Sequence, residues 1–250
     1  MKKKPRGNLY IGTSNIVVPG KRENYPADYR DKSRLHYYSS IFNSVEINST
    51  FYKVPMPTTF ERWATEVPED FQFTIKLWKE ITHCKNLQYE AEKIGFFMQA
   101  ASRMGAKKGC LLVQFPGKIS MENFNVVEEL LEQLTGANEL GWRIAVEFRN
   151  PGWYIGETSE MLDVFQASLV LHDIPKSRNE ALNKAATFVY CRCHGPTGNY
   201  RDSYSNEYLQ ERATQIRSWL HSGKDVYAYF NNTMGSAYEN ALTLQEMLGT

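Results

Sequence analysis

The sequence predicts a single α/β domain of the (β/α)8, or TIM-barrel, class over residues 1–250. Three observations predict it. The chain has 250 residues, the usual size of one such barrel. Short segments that alternate apolar and polar residues recur about eight times, and helical periodicity follows each of them. Several of these strands carry ionisable residues near their ends, on the face opposite the apolar one. Helices cover one face of such a strand, so the polar face is expected at the mouth of a closed barrel, where sites form.

The elements follow in order. Residues 1–7 begin with a basic run and no apolar signal core follows it, so they read as a frayed terminus. Leu9–Thr13 is the first strand. Residues 14–30 form a long irregular loop with Pro19, Gly20 and Pro26, expected to border the mouth and to be mobile or act as a lid. A helix over 32–42 precedes the alternating stretch 43–52, in which Val45 and Ile47 oppose Ser44, Glu46 and Asn48. Thr58 is placed to cap the next helix. Strand 71–78 sets Phe71, Phe73, Ile75 and Leu77 against Gln72, Thr74, Lys76 and Trp78. Helix 89–104, strand 110–115 and helix 123–134 come next. Strand 143–149 sets Ile144, Val146 and Phe148 against Arg143, Ala145, Glu147 and Arg149. A helix near 157–166, a strand over 168–173 and a weakly helical segment 176–186 lead to strand 187–194, with Phe188, Tyr190, Arg192 and His194 on one face. Helix 205–220, strand 225–231 and a last helix that Ser236 can cap complete the chain.

Bulk composition narrows the function classes. A net charge of +1 gives no field that would favour nucleic acid or an anionic membrane. No apolar run approaches the roughly 20 residues of a membrane span. The four cysteines, Cys84, Cys110, Cys191 and Cys193, have spacings that suit neither a disulfide nor a zinc knuckle. No structural disulfide, metal or cofactor is expected, and the expected compartment is a reducing cytoplasm.

Glu46 and Glu147 are the candidate catalytic pair, because two carboxylates across a pocket can divide acid and base work. The competing reading pairs each with Lys76, Arg149 or Arg192 in a structural network. Lys76 sits in a strand whose other face is apolar. With both carboxylates near it is expected to stay charged and pair or bind an anion rather than form an imine. Arg192, His194 and the loop Gly195–Gly198 lie where barrels often bind phosphate, although such a loop also serves as a plain turn. Asn231 ends the last strand and is expected to hold substrate. Trp78, Trp153 and Tyr229 could stack on a sugar or base, or simply pack. His83, His172, His194 and Asp173 show no metal-ligand spacing.

Several of these pieces together resemble the domain of unknown function 72 (DUF72) family, also called YecE-like. They are the run from Val45 to Tyr52, Phe73 to Lys76 with Ile81-Thr82-His83, Val146-Glu147-Phe148-Arg149 with Trp153, the strand ending at Asp173, Arg192 with His194-Gly195, and Tyr229-Phe230-Asn231-Asn232. The resemblance covers nearly the whole chain. It implies a TIM barrel like that of the family member TM1631, and no established activity. The sequence departs from the family at Asn15-Ile16-Val17-Val18, in place of a Gly-aromatic start, and at Asn150, where the family commonly has His.

The leading expectation is a hydrolase or lyase acting on a polar, anionic or carbohydrate-like small molecule. Glu46, Glu147 and Lys76 would be catalytic. Asn48, Tyr52, His83, Arg149, Trp153, Asp173, Arg192, His194 and Asn231 would bind substrate. The alternative is a non-catalytic binding protein for nucleic acid or a phosphorylated ligand; a fold this general does not choose between them.

Overall fold

The structure, a computed structural model, describes residues 6–249. Its strands are β1 (Leu9–Thr13), β2 (Ser44–Ile47), β3 (Gln72–Lys76), β4 (Lys108–Phe115), β5 (Arg143–Phe148), β6 (Ser168–Leu169), β7 (Leu171–His172), β8 (Phe188–Cys193) and β9 (Asp225–Phe230). Its α-helices are α1 (Arg34–Ser39), α2 (Ser49–Tyr52), α3 (Pro57–Thr65), α4 (Lys79–Thr82), α5 (Glu92–Ala101), α6 (Phe124–Gly136), α7 (Gly156–Val164), α8 (Asn206–His221) and α9 (Ala237–Leu248). None of these helices is long and apolar enough to cross a membrane.

The strands form two parallel sheets, ordered β2-β3-β4-β5-β6 and β1-β9-β8-β7. The sheets meet at both sides. Ser14 bridges to Glu46 just past β1, and the Asn15 amide donates to the Glu46 carbonyl at 2.6 Å. At the other side β6 pairs with β5 while β7 pairs with β8. Only Val170 separates them, and its amide donates to Val146 at 2.9 Å. The strand expected over 168–173 is therefore two short pieces, one in each sheet.

Alternation gives each strand two buried faces, as parallel sheets require. Val45, Ile47, Phe73, Ile75, Val113, Phe115, Val146, Phe148, Val189 and Phe230 join the helices in one apolar core. In α6 this core takes Val127, Leu130, Leu131 and Leu134, the spacing of one helix face. The opposite face builds a second cluster from Cys110, Leu112, Ala145, Val170, Phe188, Tyr190, Tyr227 and Tyr229. Towards the strands' C-terminal ends that inner face turns polar, with Glu46, Lys76, Gln114, Glu147 and Arg192.

Several expectations need correction. The stretch 43–52 is a strand only to Ile47. The Thr50 hydroxyl lies 3.1 Å from the Ile47 carbonyl and 2.7 Å from that of Lys76, which folds the chain into α2. Thr58 does not cap α3; Met56 holds that position and Pro57, whose ring presets a helical φ, starts the helix. The segment 176–186 is not helical beyond a turn at Pro175–Ser177. Its asparagines instead tie it to the chain before it: Asn179 donates to Val170 as well as to nearby Ala181, and Asn183 to Ala167 and to the Asp163 carboxylate. Ser236 stands at the start of α9 without a side-chain cap.

The loop 14–30 packs in part against the rest of the chain. It contains two short turns, Val18 and Tyr25 are buried, and Arg34 donates to the Val18 carbonyl. The expected frayed terminus lies outside the described residues for 1–5, whereas the Gly7 amide docks on the Leu220 carbonyl at 2.9 Å.

Candidate functional site

β2 and β8 project Glu46 and Arg192 onto the same inner face. Arg192 grips Glu46 with two parallel bonds, Nε to Oε2 and Nη2 to Oε1, both 2.8 Å. Ser14 at 2.6 Å, Tyr190 at 2.6 Å and the Asn48 amide at 3.0 Å fill the remaining capacity of that carboxylate. Arg192 Nη1 reaches Glu147 at 2.8 Å, and Arg149 Nε also donates to Glu147. Both carboxylates are wholly buried.

Burial alone would raise the Glu46 carboxyl. The charge of Arg192 and bonds from Arg192, Ser14 and Tyr190 outweigh it and hold the group down at about 2. Glu147 is likewise held well below the usual carboxylate range: burial opposes, and Arg149 and Arg192 win.

His194 continues the network. Its Nε2 lies 3.2 Å from Nη2 of Arg149 and 3.2 Å from Nη1 of Arg192. Guanidinium nitrogens only donate, so Nε2 carries the lone pair and Nδ1 the proton, which points to Asp173 at 3.2 Å. Burial and then Arg192 push the imidazole down to about 4, against the pull of Asp173. Asp173 also accepts from the His194 amide and the Tyr204 hydroxyl, so it anchors His194.

In front of this network lies a cavity of about 230 Å³. It is lined by the charged residues Lys76, Arg149 and Arg192, the aromatic residues Phe51, Tyr52 and Tyr200, and the amides Asn15, Asn48, Gln114 and Asn231. Neither carboxylate lines it. Four of the five N–H bonds of Arg192 have acceptors, which leaves one on Nη2. Arg149 keeps Nη1 free and is 17% exposed against 2% for Arg192, so a ligand meets Arg149 first.

Lys76 differs from expectation. Its Nζ bonds to Gln114 Oε1 at 2.8 Å and stands 4.3 Å from the centre of the Phe51 ring, with no ion pair to either carboxylate. The arginines are already the counter-ions. Burial first, then Arg192, lowers the ammonium to about 8, which leaves it largely protonated at neutral pH but closer to losing its proton than an exposed lysine.

Other candidates also move. Trp153 is no substrate platform: it is fully buried, stacks on Phe148 at 4.2 Å and donates to the Ile119 carbonyl. Tyr229 is also buried, bonded to Ser44 and Thr74. His83 sits behind Phe51, edge-on at 4.7 Å, and bonds Thr82 rather than facing the cavity. Asn48 and Tyr52 do reach it, through the turn into α2. The loop after β8 is not a phosphate cradle: the Gly195 amide is taken by Tyr204 and the Gly198 amide by the Gly195 carbonyl. Phe51, Gln114 and Tyr200 were missed. Gln114 was readable, since alternation along 110–115 puts it on the face of Cys110 and Leu112 at the strand's end. Tyr200 has φ +67° in an irregular loop, which no periodicity signals. Among the described residues no three His, Cys, Asp or Glu side chains gather as a metal set, and the cysteines are free.

The family described as "Protein of unknown function DUF72" matches residues 10–250. The chain belongs to this family. UPF0759 protein YunF of Bacillus subtilis is 25% identical over 90% of this chain and 89% of its own. UPF0759 protein YecE of Escherichia coli K12 is 28% identical over 52% of this chain and 46% of its own. Among solved structures, the DUF72 family protein EF0366 of Enterococcus faecalis superposes with a TM-score of 0.77 at 22% identity, covering 98% of both chains. The DUF72 family protein TM1631 of Thermotoga maritima gives 0.75 at 25% identity, covering 97% of this chain and 100% of its own. Of the two departures from the DUF72 pattern, Asn15 lines the cavity. Asn150 instead stabilises the turn after β5, accepting from the Gly152 amide and donating to the Gly117 carbonyl.

Proposed function

We propose that this DUF72 chain is an enzyme acting on a compact anionic molecule held at the C-terminal mouth of a closed (β/α)8 barrel. The barrel reading is supported by the two contacts that join the sheets, at Ser14–Glu46 and across Val170. One observation carries the ligand class. The charged groups lining the cavity are Lys76, Arg149 and Arg192, while Glu46 and Glu147 lie behind them with their oxygens engaged. A site of this kind attracts a carboxylate or phosphate. A volume of about 230 Å³ favours a small molecule over nucleic acid.

The same observation moves the chemistry from the carboxylates to Lys76. Glycoside-type hydrolysis needs one protonated carboxyl group, and both are held ionised. Lys76 is the cavity group whose proton is loosely held near neutral pH. Lyase chemistry is therefore favoured over hydrolysis. The test is calorimetric titration of glycolate against its neutral relative ethylene glycol. Glycolate should bind, more weakly at high salt, and Arg149→Gln should weaken it about tenfold or more, the loss of one charge-assisted contact. Equal behaviour of the two probes would sink the anion reading.

A further inference from the structure

We infer that Lys76 is an imine-forming lysine, and that the molecule it captures is a short aldehyde or ketone bearing a carboxylate or phosphate. The inference rests on the anion-site reading above and adds the carbonyl group and the covalent step.

Four observations carry it. The Lys76 nitrogen faces the cavity with one protein acceptor, the Gln114 amide oxygen, and no carboxylate. An ion-paired lysine would hold its proton and its lone pair would be unavailable; this one is free of that restraint. Second, the two guanidiniums beside it fix where an anionic tail goes, which leaves the carbonyl end for Lys76. Third, Asn48 lines the same cavity and its Oδ1 is buried without a partner. A carbinolamine hydroxyl is the kind of donor that this oxygen lacks. Fourth, Glu46 and Glu147 already have Arg149 and Arg192 as ion-pair partners, which leaves Lys76 without a carboxylate of its own.

The groups that bear on Lys76 are Arg192, Glu147, Glu46 and Arg149, with His83 behind Phe51. Burial first, then Arg192 and Arg149, oppose the ammonium; the Glu147 and Glu46 charges and the Phe51 face favour it but are outweighed, bringing the group to about 8.

The step balances. The ammonium first releases a proton to solvent. The amine lone pair then forms the N–C bond while the carbonyl π pair moves to oxygen, and a proton passes from nitrogen to that oxygen. The C–O bond breaks as one proton returns, and water leaves. The product is a C=N iminium carrying the single positive charge that the ammonium carried before. A substrate with a bond β to the new iminium can then be cleaved, with the electron pair drawn into the C=N group.

The experiment incubates the full chain with glyoxylate and sodium cyanoborohydride, which reduces an iminium to a stable secondary amine. Peptide mapping by mass spectrometry then locates the carboxymethyl group. The expected result is one adduct per chain, on Lys76, lost in Lys76→Arg and slowed by competing glycolate. The map on the unmodified chain decides the matter even if the variant does not fold. Carboxymethyl groups spread over surface lysines, with glycolate still bound in calorimetry, would overturn the imine and leave the anion site standing. Absence of glycolate binding would overturn both.

Discussion

Arg192 holds two buried carboxylates at once, and the residue-scale predictions follow from that. Arg192→Met leaves Glu46 and half of Glu147 without a counter-charge, so it should cost about 3–5 kcal/mol in urea unfolding. Lys76→Met should cost less than about 1 kcal/mol, because a desolvated charge with no ionic partner is removed. A double-mutant cycle should give strong coupling for Arg192 with Glu46 and weak coupling for Lys76 with Glu147; the reverse order would contradict the network. The pH dependence has a definite sign. His194 titrates at about 4 in the folded chain, below the ordinary 6.5, so its contribution is present above 6.5 and is lost as pH falls to 4. Glu46, held at about 2 against an ordinary 4.5, extends that loss from 4.5 downward. Stability measured by urea unfolding should therefore fall continuously from about pH 6.5 into acid. His194→Gln should flatten the upper part of that fall, though not abolish it, since His83 and His172 are shifted the same way. An unchanged slope would mean that His194 is not the neutral acceptor described. At this scale the sequence revealed which residues meet, because alternation sorts them to one face. It could not reveal that Arg192, rather than Lys76, is the counter-ion; that depends on side-chain reach across the interior.

The elements show where periodicity stops informing. Strand and helix positions were legible wherever an apolar stripe was long, as in α6 and α8. They failed at 176–186, where Asn179 and Asn183 reach back to Val170, Ala167 and Asp163, and at 48–52, where Thr50 turns the chain. Glycine makes the junction of β1 and β2 possible. A Cβ on Gly12 would lie 2.0 Å from the Ser44 carbonyl oxygen and 2.6 Å from the Tyr38 hydroxyl. That carbonyl belongs to a strand already bonded to β3, and Tyr38 also accepts from the Thr13 amide. Neither neighbour can give way cheaply. Gly12→Ala should thus cost at least about 2 kcal/mol by urea unfolding, towards the upper end of overpacking penalties. A loss under about 0.5 kcal/mol would show that the two strands are not so closely seated.

At the scale of the whole molecule, a chain of net charge +1 concentrates its buried charge at one end of its strands. The carboxylates behind the cavity hold Arg149 and Arg192 in place, and on the proposed reading that alignment precedes the arrival of an anion. The α/β class was legible because parallel strands need two buried faces and helical crossovers, and both leave periodic traces. The lining of the cavity was less so: the sequence holds two carboxylates and three cations in this region but does not say which of them face the opening. The most direct measurement is an anomalous difference map from a crystal soaked in selenate. An anion site requires a peak within hydrogen-bond distance of Lys76 Nζ, Arg149 Nη1 and the free N–H of Arg192 Nη2. Selenate confined to the outer surface, with a cation in the cavity instead, would contradict it.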